Sequence, residues 1–484
     1  MKKYSIVIFI FFSYTSIIDA QEKTNFTLQH VIEQAQDKSL KAKLAQTQKE
    51  LSYYQFVTYK SDLNPQISLY GNLPVYNKEY FSVRQPDGSI KFQSISQSNS
   101  NLGFSLSQQL PFSGGELSLN TDLTRFDDFK GRIKQYSSTP IFLKLTQPLF
   151  GTNELKWKKK IEPLKLEESK KQYIQDIENI AQQAIGFYFD VIDAQNNMQI
   201  AQSGLLVSQT NYNIETKRIN LGTTTEDKLL QLELQTLRSK QDLEKARYNY
   251  RKAQLNLKTF IGIKNNEELD LLVPQIIPIF TIDMEEALKY AKENRPEFIA
   301  FERKKQEAFR DVAIAKSAKQ QANLTASYGL NNSGNNLSTA YKNPNDQQRF
   351  SFGFNIPFLD WGRRKARYNT AKSLEKLILT TNEFDEITIF QEITALITDM
   401  KLLSSNILLA QKTDSVAHRR FNIANNLYQS GKLSITDISL AQGEKDNARR
   451  EYIGALRAYW DGYYLLRRVT LYDFEKKKSL VLPK

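Results

Sequence analysis

The sequence predicts a mainly α-helical chain with a smaller set of β-strands, built by internal duplication. Three observations predict it. Two long helical patterns turn back on themselves at glycine tips of one kind, Asn220-Leu221-Gly222-Thr223-Thr224-Thr225 and Leu427-Tyr428-Gln429-Ser430-Gly431-Lys432. Between the helices of each half, the hydrophobic period changes from 3.6 to 2. The same signals then recur in the same order, and a repeat of this kind is read before any other feature.

The first twenty residues predict a secretory signal. Lys2 and Lys3 give a positive start, Ile6 to Tyr14 is mostly apolar, and Ala20 is a small residue before Gln21. The apolar run is too short to span a bilayer. The first repeat is then expected over 21–262 and opens with a helix over 27–60, where Leu28, Val31, Ile32, Ala35 and Leu44 keep helical spacing.

A period of two follows. Ile67, Leu69 and Leu73 alternate with Ser68, Tyr70 and Asn72; Leu102, Phe104 and Leu106 with Gly103, Ser105 and Ser107. Leu117 and Leu119 alternate with Ser118 and Asn120, and Ile141, Leu143 and Leu145 with Phe142, Lys144 and Thr146. One face is apolar and the other small and polar. That suits a half-buried soluble sheet or a transmembrane barrel with lipid outside and water inside.

A second helix is expected over 154–219, with Ile174, Ile177, Ala181, Ala184, Tyr188 and Val191 at coiled-coil steps. Unbroken, it would reach roughly 100 Å, and Pro163 should kink it or mark its first turns. Gly222 ends it through the left-handed conformation that glycine takes without a Cβ clash. The helix after that tip runs to about Ile261, with Ala246, Tyr250, Ala253, Leu257 and Phe260 on one seam. Residues 263–281 hold Asn265, Asn266, Pro274 and Pro278 and read as the inter-repeat linker.

The second repeat, 282–471, copies the first. Met284 to Ala291 matches Leu28 to Ala35, Pro357-Phe358-Leu359 matches Pro148-Leu149-Phe150, and Gly431, Ala455 and Tyr459 match Gly222, Ala246 and Tyr250. Its strands are Leu324, Ala326 and Tyr328 alternating with Thr325 and Ser327, and Phe350, Phe352, Phe354 and Ile356 alternating with Ser351, Gly353 and Asn355. Residues 472–484 read as a tail. The offset between the halves falls within 72–147, so the first half carries an insertion of about 48 residues. Leu110-Pro111-Phe112 echoes the strand end Ile356-Pro357-Phe358, and Gly114-Gly115 suits a tight turn. The expectation is four strands in the first half and two in the second. No internal run of about 20 apolar residues is evident, so membrane entry is expected through strands.

Composition narrows the chemistry. With no cysteine there is no disulfide, catalytic thiol or lipidated N-terminal cysteine; His30 and His418, the only histidines, lie far apart in helical patterns. No metal site, cofactor or catalytic residue is expected, and no Ser-His-Asp or phosphate-loop pattern is found, so the chain is not read as an enzyme. The acidic pairs Asp127-Asp128 and Glu167-Glu168 read as solvated charge. The net charge of +13 is spread along helices among Glu, Asp and Gln, which argues for solvated faces and against nucleic acid.

Together the two helix starts, with Asn294-Arg295-Pro296-Glu297 after the second, the strand-to-helix junctions Gln147 to Phe150 and Ile356 to Arg363, and the tips at Gly222 and Gly431 with Asp437-Ile438 downstream resemble the TolC family of outer-membrane efflux channels. The resemblance spans essentially all of the chain after residue 20. It implies a homotrimer of mainly α class with transmembrane β. A shared β-barrel would lie in the outer-membrane lipid of a Gram-negative bacterium, continued by a periplasmic α-helical barrel. It implies a passive exit duct for efflux or secretion, working with a periplasmic adaptor protein and an inner-membrane pump. The competing reading is a structural or adhesive coiled-coil surface protein. Six strands per chain would give a wider barrel than the four usual in the family.

The resemblance also suggests sites. Gly222, Thr223, Gly431 and Lys432 would face the adaptor. Asp437 and Tyr428 would form the pore constriction, three carboxylates near the axis repelling one another and favouring cations. Tyr428 would donate its hydroxyl to a carboxylate in the closed state. The plainer role for Asp437 is a favourable negative charge at a helix start. The chain departs from the best-known member at Leu433 and Leu440, which stand where that protein has a basic and an acidic residue. Ser39-Leu40 replaces the Asn-Pro type of pair at the first helix start, so that turn is expected to differ.

Overall fold

The computed structural model describes residues 25–263, 269–278, 280–318 and 321–481; the expected signal over 1–20 lies outside them. Strand β1 (Asn25–Phe26) leads into helices α1 (Leu28–Lys38) and α2 (Leu40–Asp62), then strands β2 (Gln66–Arg84), β3 (Ile90–Leu110), β4 (Gly115–Asp128) and β5 (Ile133–Leu149). Helices α3 (Glu154–Asn220) and α4 (Glu226–Ile261) form the first hairpin, and β6 (Asp270–Leu271) lies in the linker. The second half follows as α5 (Met284–Asn294), α6 (Pro296–Ser317), β7 (Gln321–Gly334), the short α7 (Leu337–Tyr341) and β8 (Asn345–Asn355). Its hairpin is α8 (Arg363–Gln429) and α9 (Ile435–Thr470), after which β9 (Tyr472–Asp473) and β10 (Lys478–Ser479) pair.

The duplication is visible in backbone detail. Helices α1 and α5 are both 11 residues long, each capped by a side chain: Thr27 Oγ1 accepts from the His30 amide and Asp283 Oδ1 from the Glu286 amide. Each then stops at one extended residue, Ser39 (φ −63°, ψ 151°) or Arg295 (φ −66°, ψ 139°), and a new helix starts at once. The single helix expected over 27–60 is therefore two, and Leu40 starts α2 as readily as Pro296 starts α6. The turn expected to differ is the same turn. Pro163 lies within α3, which continues through it.

Chain contacts divide the molecule into two units. One comprises residues 1–40, 180–278 and 403–461; the other 41–179, 279–402 and 462–484. The first holds both hairpin tips. In it α9 lies antiparallel to α3, tied by Asp461 accepting from Gln182 (3.0 Å), Arg457 on Asp190 and Asp193, and Arg450 Nε on Asn197 (2.9 Å). The linker adds an unexpected element: β6 pairs in parallel with β1, and the buried Tyr188 hydroxyl donates to the Leu272 carbonyl. Burial holds the Tyr188 hydroxyl well above the usual tyrosine range.

The second unit holds one six-stranded antiparallel sheet, ordered β2-β3-β4-β5-β7-β8. All four flanking helices, α2, α3, α6 and α8, attach at one end of it. Its faces follow the alternation. One row runs Ile67, Leu106, Leu119, Leu143 and Tyr328; the next runs Ser68, Ser105, Asn120, Phe142 and Gly329. Tyr328 lies on the apolar face and Tyr70 on the polar one. Tyr70 lies over Gly103, where a Cβ would come 2.5 Å from the ring and 2.7 Å from the Thr121 carbonyl. The Gly114 turn (φ +78°) sits at the helix end, held by Asn153 Nδ2 on the Pro111 carbonyl (2.8 Å) and Gln147 Nε2 on the Ser113 carbonyl (2.9 Å).

Below the sheet, Ala287 and Ala291 of α5, Ile389, Ile393, Leu396 and Ile397 of α8 and Leu466 and Val469 of α9 share a core with Phe474. The expected tail is therefore partly folded onto the helices. Arg467, half-buried, lies between the buried carboxylates of Glu178 (2.9 and 3.1 Å) and Asp473. One expectation is corrected: α8 contains a stretch long and apolar enough to cross a membrane, of which 28% is buried. Of α8, Ile389, Ile393, Leu396 and Ile397 are the residues buried in this core.

Candidate functional site at the hairpin tips

Both tips close the same way, and the closure follows from the glycine. At the first, Gly222 (φ +67°) gives its amide to the Ile219 carbonyl (2.9 Å), and Thr223 gives its amide to Arg218 (3.0 Å). At the second, Gly431 (φ +77°) and Lys432 repeat the pattern onto Tyr428 (3.0 Å) and Leu427 (2.9 Å). These paired bonds satisfy the orphan carbonyls of a helix end in the Schellman arrangement. Thr223 adds its hydroxyl to the Arg218 carbonyl (3.0 Å). Nothing lies within 4 Å of a Cβ at either glycine, so the left-handed backbone alone demands it. Gly222, Thr223, Gly431 and Lys432 are all exposed.

The helix that leaves the second tip is capped from within. Ser434 Oγ accepts the Asp437 amide (3.2 Å), and the Ser434 hydroxyl donates to Asp437 Oδ2 (2.6 Å). Asp437 is exposed, and its charge stands in the first turn of α9, where the helix dipole favours it. So the capping role is realised within the chain, and the outward carboxylate oxygen is left to whatever lies beyond it.

Tyr428 is placed differently. It is only 2% exposed, and its ring lies 5.9 Å from the Arg218 guanidinium carbon near the end of α3. Arg218 in turn reaches Glu215 (3.3 Å), which also accepts from the Thr224 hydroxyl. The hydroxyl of Tyr428 is buried without a hydrogen-bond partner among the described residues. Burial raises its pKa, the Glu215 charge adds to that, and Arg218 opposes both. The expected tie from this hydroxyl to a carboxylate is therefore not made among the described residues of one chain, and Tyr428 and Asp437 are not joined. What joins the hairpins near their tips is the Glu215–Arg218–Tyr428 cluster. Glu215 and Arg218 were not singled out in the sequence. The available signal was an acid and a base three apart, one helical turn before the tip glycine.

Further along, Arg420 pairs with Glu444 and Arg449 with Asp414 (3.2 Å) across α8 and α9. Among the described residues no group of His, Cys, Asp or Glu is arranged to hold a metal ion. The features of this site are thus a pair of exposed, glycine-made tips, an exposed carboxylate and a buried tyrosine ring against a guanidinium.

Comparison with known proteins agrees with this architecture. A profile of the family described as outer membrane efflux protein matches residues 31–263 and 287–469, one segment per repeat. Among solved structures, the fold is similar to the CmeC outer membrane channel of Campylobacter jejuni, at 16% identity and TM-score 0.65, covering 92% of this chain and 85% of that one. It is similar also to VceC of Vibrio cholerae, at 14% identity and TM-score 0.63, covering 92% and 95%. The open-state MtrE channel of Neisseria gonorrhoeae gives 16% identity and TM-score 0.61, covering 92% and 88%. No curated protein matches by sequence.

Proposed function

The chain belongs to the outer membrane efflux protein family and is a TolC-like outer-membrane channel protein that extends into the periplasm; on that premise we propose how its parts work. Three copies assemble, their sheets forming one wall in the lipid and their helices one duct. The duct is passive. A periplasmic adaptor meets the exposed tips at Gly222, Thr223, Gly431 and Lys432, and an inner-membrane pump drives the cargo. The observation that carries this reading is the profile match to both repeats, around a sheet with one apolar and one polar face.

Physics supports the assembly. Six strands with two free edges do not satisfy their own backbone in hydrocarbon. The apolar stretch of α8, mostly unburied within one chain, needs neighbouring helices.

The second-half tip is the constriction of this proposal. Asp437, exposed and held at the helix start by Ser434, would stand near the threefold axis, where three carboxylates prefer cations in transit. Tyr428 acts through its ring: packed on Arg218, it holds α8 to α3 while the duct is closed. Opening then separates the hairpins at that contact. Single-channel recording in a planar bilayer tests this. Asp437→Asn is expected to weaken cation selectivity; unchanged selectivity, conductance and block by multivalent cations would place the constriction elsewhere.

A further inference from the structure

We propose that the wall closes by pairing β2 of one copy with β8 of the next, so that hairpin β2–β3 is a full member of a shared barrel. The proposal rests on the trimeric reading above: six strands from each of three copies make eighteen.

The first argument is continuity. Every residue of β4, Gly115 to Asp128, pairs with β3 in unbroken register from Leu110 to Gln97. A flap lying outside the wall would not be hydrogen-bonded along its whole neighbour. The faces also continue without a break. Ile67 and Leu69 of β2 lie in the rows of Leu106 and Phe104, while Ser68 and Tyr70 lie in the rows of Ser105 and Gly103. A one-residue slip would reverse that placement.

The second argument is the edges. In this sheet β2 and β8 are the strands with one unpaired side. Hydrocarbon offers no hydrogen bonds to such a side. Their directions suit each other: β2 runs away from the helix end and β8 runs back towards it, so β2 and a neighbour's β8 meet antiparallel. Their faces suit each other too. Ile67 (77% exposed) and Leu69 (60%) would stand beside Phe350 (73%), Phe352 and Phe354 (68%), closing an apolar belt. On the other face, Ser68 and Tyr70 would stand beside Arg349, Ser351 and Gly353. With 11 residues, β8 is long enough to cross the hydrocarbon at a barrel strand's tilt.

The consequence is a wide mouth. Barrels of 16–18 strands leave a water-filled channel. The wall then sets no narrow limit on cargo, and selection falls to the helical end.

The absence of native cysteine makes the test direct. Cysteine is placed at Ser68 or Tyr70 on β2 together with Arg349, Ser351 or Gly353 on β8, and outer membranes are oxidised. The reference pair Thr146→Cys with Thr325→Cys joins adjacent strands within one chain. At least one β2–β8 pair is expected to give covalent dimers and trimers on denaturing gels. Crosslinks of β8 to Ser118→Cys on β4 of another copy, or none while the reference pair closes, would overturn the seam. Mass in detergent separates the two claims: a trimer without β2–β8 crosslinks sinks only the seam, and a monomer sinks the trimeric reading with it.

Discussion

Arg467 shows how single residues hold this chain. Burial by itself would weaken its charge, but hydrogen bonds and charge from Glu178 outweigh that and hold the guanidinium protonated. Removing it leaves two buried carboxylates, Glu178 and Asp473, facing each other. Arg467→Met is therefore expected to cost about 3–5 kcal/mol in denaturant unfolding of the detergent-extracted protein. Glu297 makes a pH-dependent contribution. Burial pushes its carboxyl up, yet the Arg295 hydrogen bonds and charge, with Gln175, bring it below the usual glutamate range. A depressed carboxyl stabilises the fold above its unfolded pKa and loses that contribution as pH falls through the folded value. Glu297→Gln should then flatten the loss of melting temperature on acidification below the usual glutamate range; a melt-versus-pH slope equal to the parent's would contradict it. At the tip, Tyr428→Phe keeps the ring on Arg218 and discards a hydroxyl with no partner among the described residues. It should leave the open fraction of single channels unchanged, whereas Tyr428→Ala should raise it.

At the level of elements, the glycines divide into two kinds with different tests. Gly222 and Gly431 are required by backbone alone, so Gly431→Ala should cost about 1 kcal/mol and leave the hairpin intact. Gly103 is required by neighbours. A methyl there meets the Tyr70 ring and the Thr121 backbone carbonyl, so Gly103→Ala should lower the yield of membrane-assembled protein even when Tyr70 is trimmed. The tips were legible in the sequence because a left-handed helix end selects one residue type. The strands were legible because one wet and one lipid face impose a period of two. The β1–β6 bridge was not, since two residues carry no period and their pairing is fixed by the burial of Leu271 and Tyr188. The break at Ser39 was not legible in the hydrophobic period, because Leu40 and its neighbours keep helical spacing across a single extended residue; only the resemblance pointed to a turn there. The Tyr428–Arg218 contact joins residues 210 positions apart, which no local pattern reveals.

For the whole molecule, duplication explains why one chain can supply both a wall and a duct. Each repeat contributes a capped 11-residue helix, a one-residue turn, a second helix, strands, and a hairpin of 67 and 36 residues. Of the six strands in the sheet, the first half supplies four and the second two. The central claim is that this chain forms a water-filled path through the outer membrane, and ion conduction by the purified, outer-membrane-extracted protein in a planar bilayer tests it most directly. Discrete conductance steps from heat-stable trimers, with cations preferred, are the predicted result. A pure, folded trimer that conducts no ions would contradict it and favour an adhesive or structural surface protein instead.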